Sequence, residues 1–125
     1  MTSIETGTND LLATKENNVG VLTLNRPEVR NAMSAEMNMA LQEMLVQFET
    51  DPEIRCVVLT GSGKGFCAGG DVKGMASSGD GTVGTNTIDQ AIHRQRVHQR
   101  ATSGKLFKMP KPTLASLPGA AAGAG

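Results

Sequence analysis

The chain has no tryptophan and no tyrosine, and three phenylalanines are its whole aromatic content. A core must therefore be built from aliphatic and methionine side chains. Cysteine is also scarce. Cys56 and Cys67 cannot make a disulfide framework and fit a reduced, cytoplasmic protein. No metal-ligand spacing occurs: His93 and His98 stand five residues apart with no third ligand, inside the basic stretch His93–Arg100, which reads as a solvated helix face. Charge of one sign is not in excess either. Twelve Lys and Arg balance twelve Asp and Glu, which removes any global electrostatic case for nucleic acid or an anionic membrane surface. No run approaches the ~18 apolar residues of a membrane-spanning helix. The N-terminus has neither the basic and apolar regions of a signal peptide nor the arginines of a transit peptide. The default compartment is the cytoplasm, with no membrane partner.

At 125 residues the chain holds at most one domain. Residues 1–10 read as a flexible, frayed lead-in, and 11–125 as the folded part. Leu11–Lys15 and Val19–Leu24 read as hairpin strands turning at Asn17-Asn18, with Val19, Val21 and Thr23 sharing a face. Ser34 is a helix N-cap residue, and Met37, Leu41, Met44, Leu45 and Phe48 follow at helical spacing until Asp51-Pro52. Cys56–Thr60 is a short, β-branched apolar run that predicts a strand buried on both faces. Ser77–Thr87 reads as a mobile loop. Ile88–Lys108 reads as one helix with a thin apolar stripe (Ile88, Ala91, Ile92, Leu106, Phe107), and Thr113–Leu117 as a further strand. Strands alternating with helices predict an α/β class.

Two small-residue runs follow strands, Thr60–Asp71 and Gly119–Gly125. The first is not a nucleotide loop. Gly65 follows Lys64 where a magnesium-binding hydroxyl is required, and neither the Walker nor the dinucleotide spacing is met. Two readings stay open. One is a pair of tight connections with small residues for packing. The other is a pair of loops that each offer a backbone N–H to one oxyanion, where Gly and Ala permit close approach. In the second reading Asp71 caps a short helix starting at Val72. Cys67 lies in the first loop with no motif supplying a base, so it reads as a small packed residue rather than a nucleophile. The Gly-Ala-Gly ending reads as a fragment of a longer protein.

Four segments carry a resemblance: Leu24-Asn-Arg-Pro-Glu-Val-Arg-Asn-Ala32, Val57-Val-Leu-Thr-Gly61, Phe66-Cys-Ala-Gly-Gly-Asp-Val-Lys73, and Pro110-Lys-Pro-Thr113 leading to Pro118–Gly125. In order and spacing they resemble the enoyl-CoA hydratase/isomerase (crotonase) superfamily over about residues 10–125. The resemblance implies a repeated ββα spiral fold, here its N-terminal part and incomplete at the C-terminus. It implies an acyl-CoA thioester substrate, with coenzyme A arriving as part of that substrate, and no permanently bound metal or redox cofactor. Position by position it makes Gly70 and Ala124 the oxyanion-hole amides. Ala68, Asp71, Val72 and Lys73 match the segment that wraps the coenzyme, and Arg30 and Ala32 the early loop near its adenine and phosphates. Lys64 is a weaker candidate for the same phosphates. The implied activity is an enoyl-CoA hydratase-like lyase of fatty acid metabolism, its acid–base glutamates lying beyond Gly125. Isomerase, thioesterase, dehalogenase and carboxyl-group lyase chemistry are the enzymatic alternatives, and an inactive truncated fragment is the non-catalytic one. The resemblance further implies a homotrimer or hexamer for the full-length parent.

Overall fold

The computed structural model describes residues 1–71 and 87–125. Its organising element is the hairpin of β2 (Leu11–Glu16) and β3 (Val19–Leu24). Asn17 and Asn18 both take left-handed φ values, 50° and 66°. Asparagine tolerates that region, and two such residues match the twist of the flanking strands. Val19, Val21 and Thr23 share one half-buried face, while Gly20, Leu22 and Leu24 are buried on the other.

After β3 the chain makes a 3-10 turn at Pro27–Val29 and enters α1 (Ala35–Thr50). Ser34 caps that helix by accepting from the Met37 N–H at 3.0 Å. Met37, Leu41, Met44, Leu45 and Phe48 all point into the core. There they meet Leu11, Leu22, Leu24, Ile54 and Val57. A Cβ placed on Gly20 would lie 2.6 Å from the Phe48 ring, so that glycine is the recess that admits the ring. Helix α1 ends at Asp51, as the following Pro52 requires.

Strand β4 (Cys56–Gly61) pairs in parallel with β3, and β5 (Thr113–Ser116) in parallel with β4. Parallel neighbours need a crossover. Helix α1 lies in the first crossover; the second holds α2 (Ile88–Ala101) and α3 (Ser103–Lys108). The five strands lie in chain order across one sheet. None of the helices among the described residues is long and apolar enough to cross a membrane.

Three expectations are corrected. The lead-in is not frayed throughout: Thr2–Ile4 form strand β1, antiparallel to β2, with Ile4 opposite Ala13 and packed on the core. The Thr6 hydroxyl, bonded to the Leu11 carbonyl at 2.7 Å, shapes the connection. The polar stretch offers no alternation to announce this strand. Secondly, β4 is not buried on both faces. Val57 is buried, but Cys56, Val58, Leu59 and Thr60 are half-buried, and every residue of β5 is exposed. Thirdly, 88–108 is two helices. Buried Thr102 leaves helical geometry at φ −116°, ψ −91° and bonds its hydroxyl to the His98 carbonyl at 3.0 Å. Thr, Ser and Gly in succession offer little propensity to hold the helix through that point. No residue of α2 is buried, so Ile88, Ala91 and Ile92 make no core stripe.

Candidate active site

Strands β3, β4 and β5 run in parallel, so their C-terminal ends lie along one edge of the sheet. Ligands of α/β proteins gather at such edges. Each end leads into one of the segments singled out above: 30–33 beyond β3, 66–71 beyond β4 and 119–125 beyond β5. Main-chain hydrogen bonds join the three. The Ala68 N–H donates to the Arg30 carbonyl at 2.9 Å and the Met33 N–H to the Gly69 carbonyl at 2.8 Å. The Phe66 N–H donates to the Ala120 carbonyl at 3.0 Å and the Ala122 N–H to the Cys67 carbonyl at 3.0 Å. A side chain on Gly119 would overlap the Lys64 carbonyl, so the outer loops touch through backbone.

Asn31 anchors this assembly. It is fully buried and, like Arg30, has a left-handed φ (59° and 52°). Its Oδ1 accepts from the Arg26 N–H at 2.8 Å. Its Nδ2 faces the Ser62, Gly65 and Phe66 carbonyls at 2.9, 3.0 and 3.1 Å. Arg26 adds a second tie: Nη1 donates to the Ala32 carbonyl at 2.7 Å and to Asp71 Oδ2 at 3.2 Å. Both residues lie inside the Leu24–Ala32 motif, where the resemblance implies no role for them. The usable signal for Asn31 was an asparagine just past a Pro-containing turn, where left-handed backbone is common.

Two peptide groups stand out. The Gly69 carbonyl is held by Met33, and a trans peptide is planar, so the Gly70 N–H points to the opposite side. Gly69 itself sits at φ 101°, and a Cβ there would lie 2.9 Å from the Ala122 carbonyl oxygen and 3.4 Å from the Ala124 nitrogen. In the facing loop the Gly125 N–H donates to the Ala122 carbonyl at 2.8 Å, closing a turn around Gly123. That closure leaves the Ala124 N–H outside the bonded ring. Among the described residues neither the Gly70 nor the Ala124 N–H has a hydrogen-bond partner.

A cavity of about 280 Å³ adjoins this region, with Leu24, Met33, Leu59, Leu106, Cys67 and Ala124 in its wall. None of the described residues lining it is Asp, Glu or His. A larger groove of about 720 Å³ lies between α1 and α2, but none of the three loops lines it. It is an open surface trough lined by helix residues, among them Arg100 and Lys105, and Lys105 is ion-paired to Glu49.

The remaining candidates fall as follows. Arg30 and Ala68 are exposed, Ala32 is buried, and Asp71 is half-buried against Arg26. Lys64 is exposed. Val72, Lys73, the helix expected after Asp71 and the 77–86 part of the expected loop lie outside the described residues, whereas Thr87 caps α2. Cys67 is buried, and its thiol donates to the Asn31 carbonyl at 3.3 Å. That placement fits a packed residue.

Residues 14–125 match the enoyl-CoA hydratase/isomerase family. The 1,2-epoxyphenylacetyl-CoA isomerase of Escherichia coli is 40% identical over 115 residues, 92% of this chain and 42% of that protein. Enoyl-CoA hydratase EchA19 of Mycobacterium tuberculosis is 36% identical over 103 residues, 78% of this chain and 38% of that protein. The solved structure of Pseudomonas aeruginosa PA4980 superimposes with a TM-score of 0.77 at 37% identity, covering 95% of this chain and 48% of that one. The chain spans less than half the length of each of these relatives. Its α/β architecture is of the crotonase type. From the motifs, the fold and these matches together, the chain belongs to the enoyl-CoA hydratase/isomerase family.

Proposed function

We propose that the protein binds an acyl-CoA thioester and holds its carbonyl oxygen between the Gly70 and Ala124 amides, as part of an enoyl-CoA hydratase-like enzyme. The observation that carries this reading is the pair of N–H groups, partnerless among the described residues, on two facing loops, one of which places Ala124 in the wall of an apolar cavity. A thioester gains negative charge on that oxygen as it becomes an enolate. A preorganised donor aimed at such charge contributes roughly 3–4 kcal/mol. The cavity suits the acyl chain, and Arg30, Ala32, Ala68, Asp71, Val72 and Lys73 are the proposed coenzyme contacts. Proton and water transfer need acid–base groups, and the described cavity wall contains no carboxylate or imidazole. The roles proposed for these residues are therefore binding and charge stabilisation.

A second reading, isomerisation, is favoured by one specific finding: the relative at 40% identity is named an isomerase. Both readings use the same oxyanion step: hydration then adds water across the double bond, whereas isomerisation rearranges the thioester with no atom added.

The test is a spectral titration of the chain with hexa-2,4-dienoyl-CoA, whose conjugated carbonyl absorbs further to the red when polarised. Saturable binding with a red shift is expected, and a Gly69→Ala variant should lose the shift because its Cβ meets the Ala122 carbonyl. Binding without any shift overturns the oxyanion pair. Absence of binding overturns the thioester ligand.

A further inference from the structure

We infer that Arg26 is a positioning residue for the Gly70 amide. The inference rests on the oxyanion reading above and deepens it. Gly70 follows Gly69, and two consecutive glycines give a peptide more rotational freedom than any other pair. A donor that swings does not stabilise developing charge well, because its orientation must be set before the reaction. The Met33 N–H holds the Gly69 carbonyl of this peptide at 2.8 Å, so its orientation is only as fixed as the two chain segments that make that bond.

Met33 and Gly70 are bridge partners on adjacent chain segments. Ala32 lies immediately before Met33 and Asp71 immediately after Gly70. One nitrogen of Arg26, Nη1, reaches both flanks: the Ala32 carbonyl at 2.7 Å and Asp71 Oδ2 at 3.2 Å. That nitrogen carries two hydrogens, one for each acceptor. On the far side Arg26 Nε lies 3.8 Å from Asp10 Oδ2, and the Ser34 hydroxyl donates to the same oxygen at 2.5 Å. The guanidinium is thus held by the start of β2 and the cap of α1. It transmits that rigidity to the main chain on either side of the bridge. The arginine side chain is only 18% exposed, so these bonds form away from most competing water. A lysine could not fill the role, since its single ammonium lacks the planar fork that reaches Asp10 and Asp71 together.

The experiment compares the native chain with Arg26→Gln and Asp71→Asn in the dienoyl-CoA titration, reading two quantities: the dissociation constant and the red shift at saturation. Arg26→Gln should lose at least about half of the red shift at saturation, a larger effect than any change in the dissociation constant that comes through its neighbours Ala32 and Asp71. Asp71→Asn should lose shift in the same direction. A purely structural residue would move the dissociation constant or the melting temperature and leave the saturated shift intact. A full red shift in Arg26→Gln overturns the inference while leaving the oxyanion reading standing. If Arg26→Gln does not fold by circular dichroism, Asp71→Asn decides, and a full shift there overturns the inference equally. A native chain that binds without shifting overturns the oxyanion reading, and the role of Arg26 falls with it.

Discussion

At the scale of single residues, Asn31 commits every polar side-chain atom to main chain. It accepts from Arg26 and donates to the carbonyl cluster of Ser62, Gly65 and Phe66. Replacing it by Ala leaves these groups without their partner, the Phe66 carbonyl in a buried setting and the others in part-buried ones. At about 1–3 kcal/mol for each buried group left unsatisfied, Asn31→Ala should lower unfolding stability by roughly 2–4 kcal/mol. The midpoint of a urea transition measures this, and an unchanged midpoint would show that the carbonyls find other partners. The family resemblance, rather than residue type, put forward Gly70, Ala124, Arg30 and the rest of the coenzyme segment. It did not reveal Asn31 or Arg26 as anchors, because their partners lie up to 35 and 45 positions away. Such ties exist only once the three strand ends have been brought side by side.

At the scale of elements, α1 is the best-specified part of the chain, and both of its ends are tied to other elements. Its N-cap, Ser34, accepts from Met37 and donates to Asp10. Ser34→Ala should cost about 1 kcal/mol by the cap alone, read as a shift in the urea midpoint with an unchanged slope. A cost near zero would mean that Asp10 or water takes over the cap. At the other end the Lys111 ammonium donates to the Phe48 and Asp51 carbonyls at 2.6 and 2.7 Å, joining the approach to β5 to the end of the helix. The cap and apolar stripe of α1 were legible because they are local and periodic. The break at Thr102 and the strand β1 were not: one depends on a buried hydroxyl, the other on pairing with β2.

Asp51 also gives the α1 terminus a pH dependence. The Glu53 N–H donates to its carboxylate at 2.8 Å, and with the Lys15 ammonium 3.2 Å away it holds the carboxyl below its ordinary value of 3.8. A depressed carboxyl stabilises the fold above its unfolded value and loses that contribution as the pH falls through the folded one. Lys15 is the reverse case. Its bonds to Glu53 and Asp51 raise it above 10.5, so its contribution is full below that value and is lost as the pH rises through the folded one. Melting temperature should therefore fall at both extremes. Asp51→Asn should flatten the acid limb below about pH 4. If native and variant chains fall together in acid, Asp51 is not the group being titrated.

At the scale of the whole molecule, burial is graded across the sheet. Strand β3 is paired on both edges, by β2 and β4, and its Leu22 and Leu24 lie in the core. Among the described residues strand β5 is paired only to β4, its four residues are exposed, and Leu114 is 58% accessible. The sequence reading of β4 as buried on both faces failed for the same reason: a β-branched run announces a strand, but how much covers it is set by neighbours that the run does not encode. Local opening follows burial, since segments with few covered apolar contacts open without global unfolding. Hydrogen exchange followed by mass spectrometry should therefore rank the strands. Peptides from β3 should exchange slowest, and those from β5 faster by at least about a hundredfold, a difference of roughly 3 kcal/mol in opening free energy. Equal protection of β5 would contradict this grading. It would mean that another chain covers β5 in solution, and dilution would then restore fast exchange in β5 while leaving β3 unchanged.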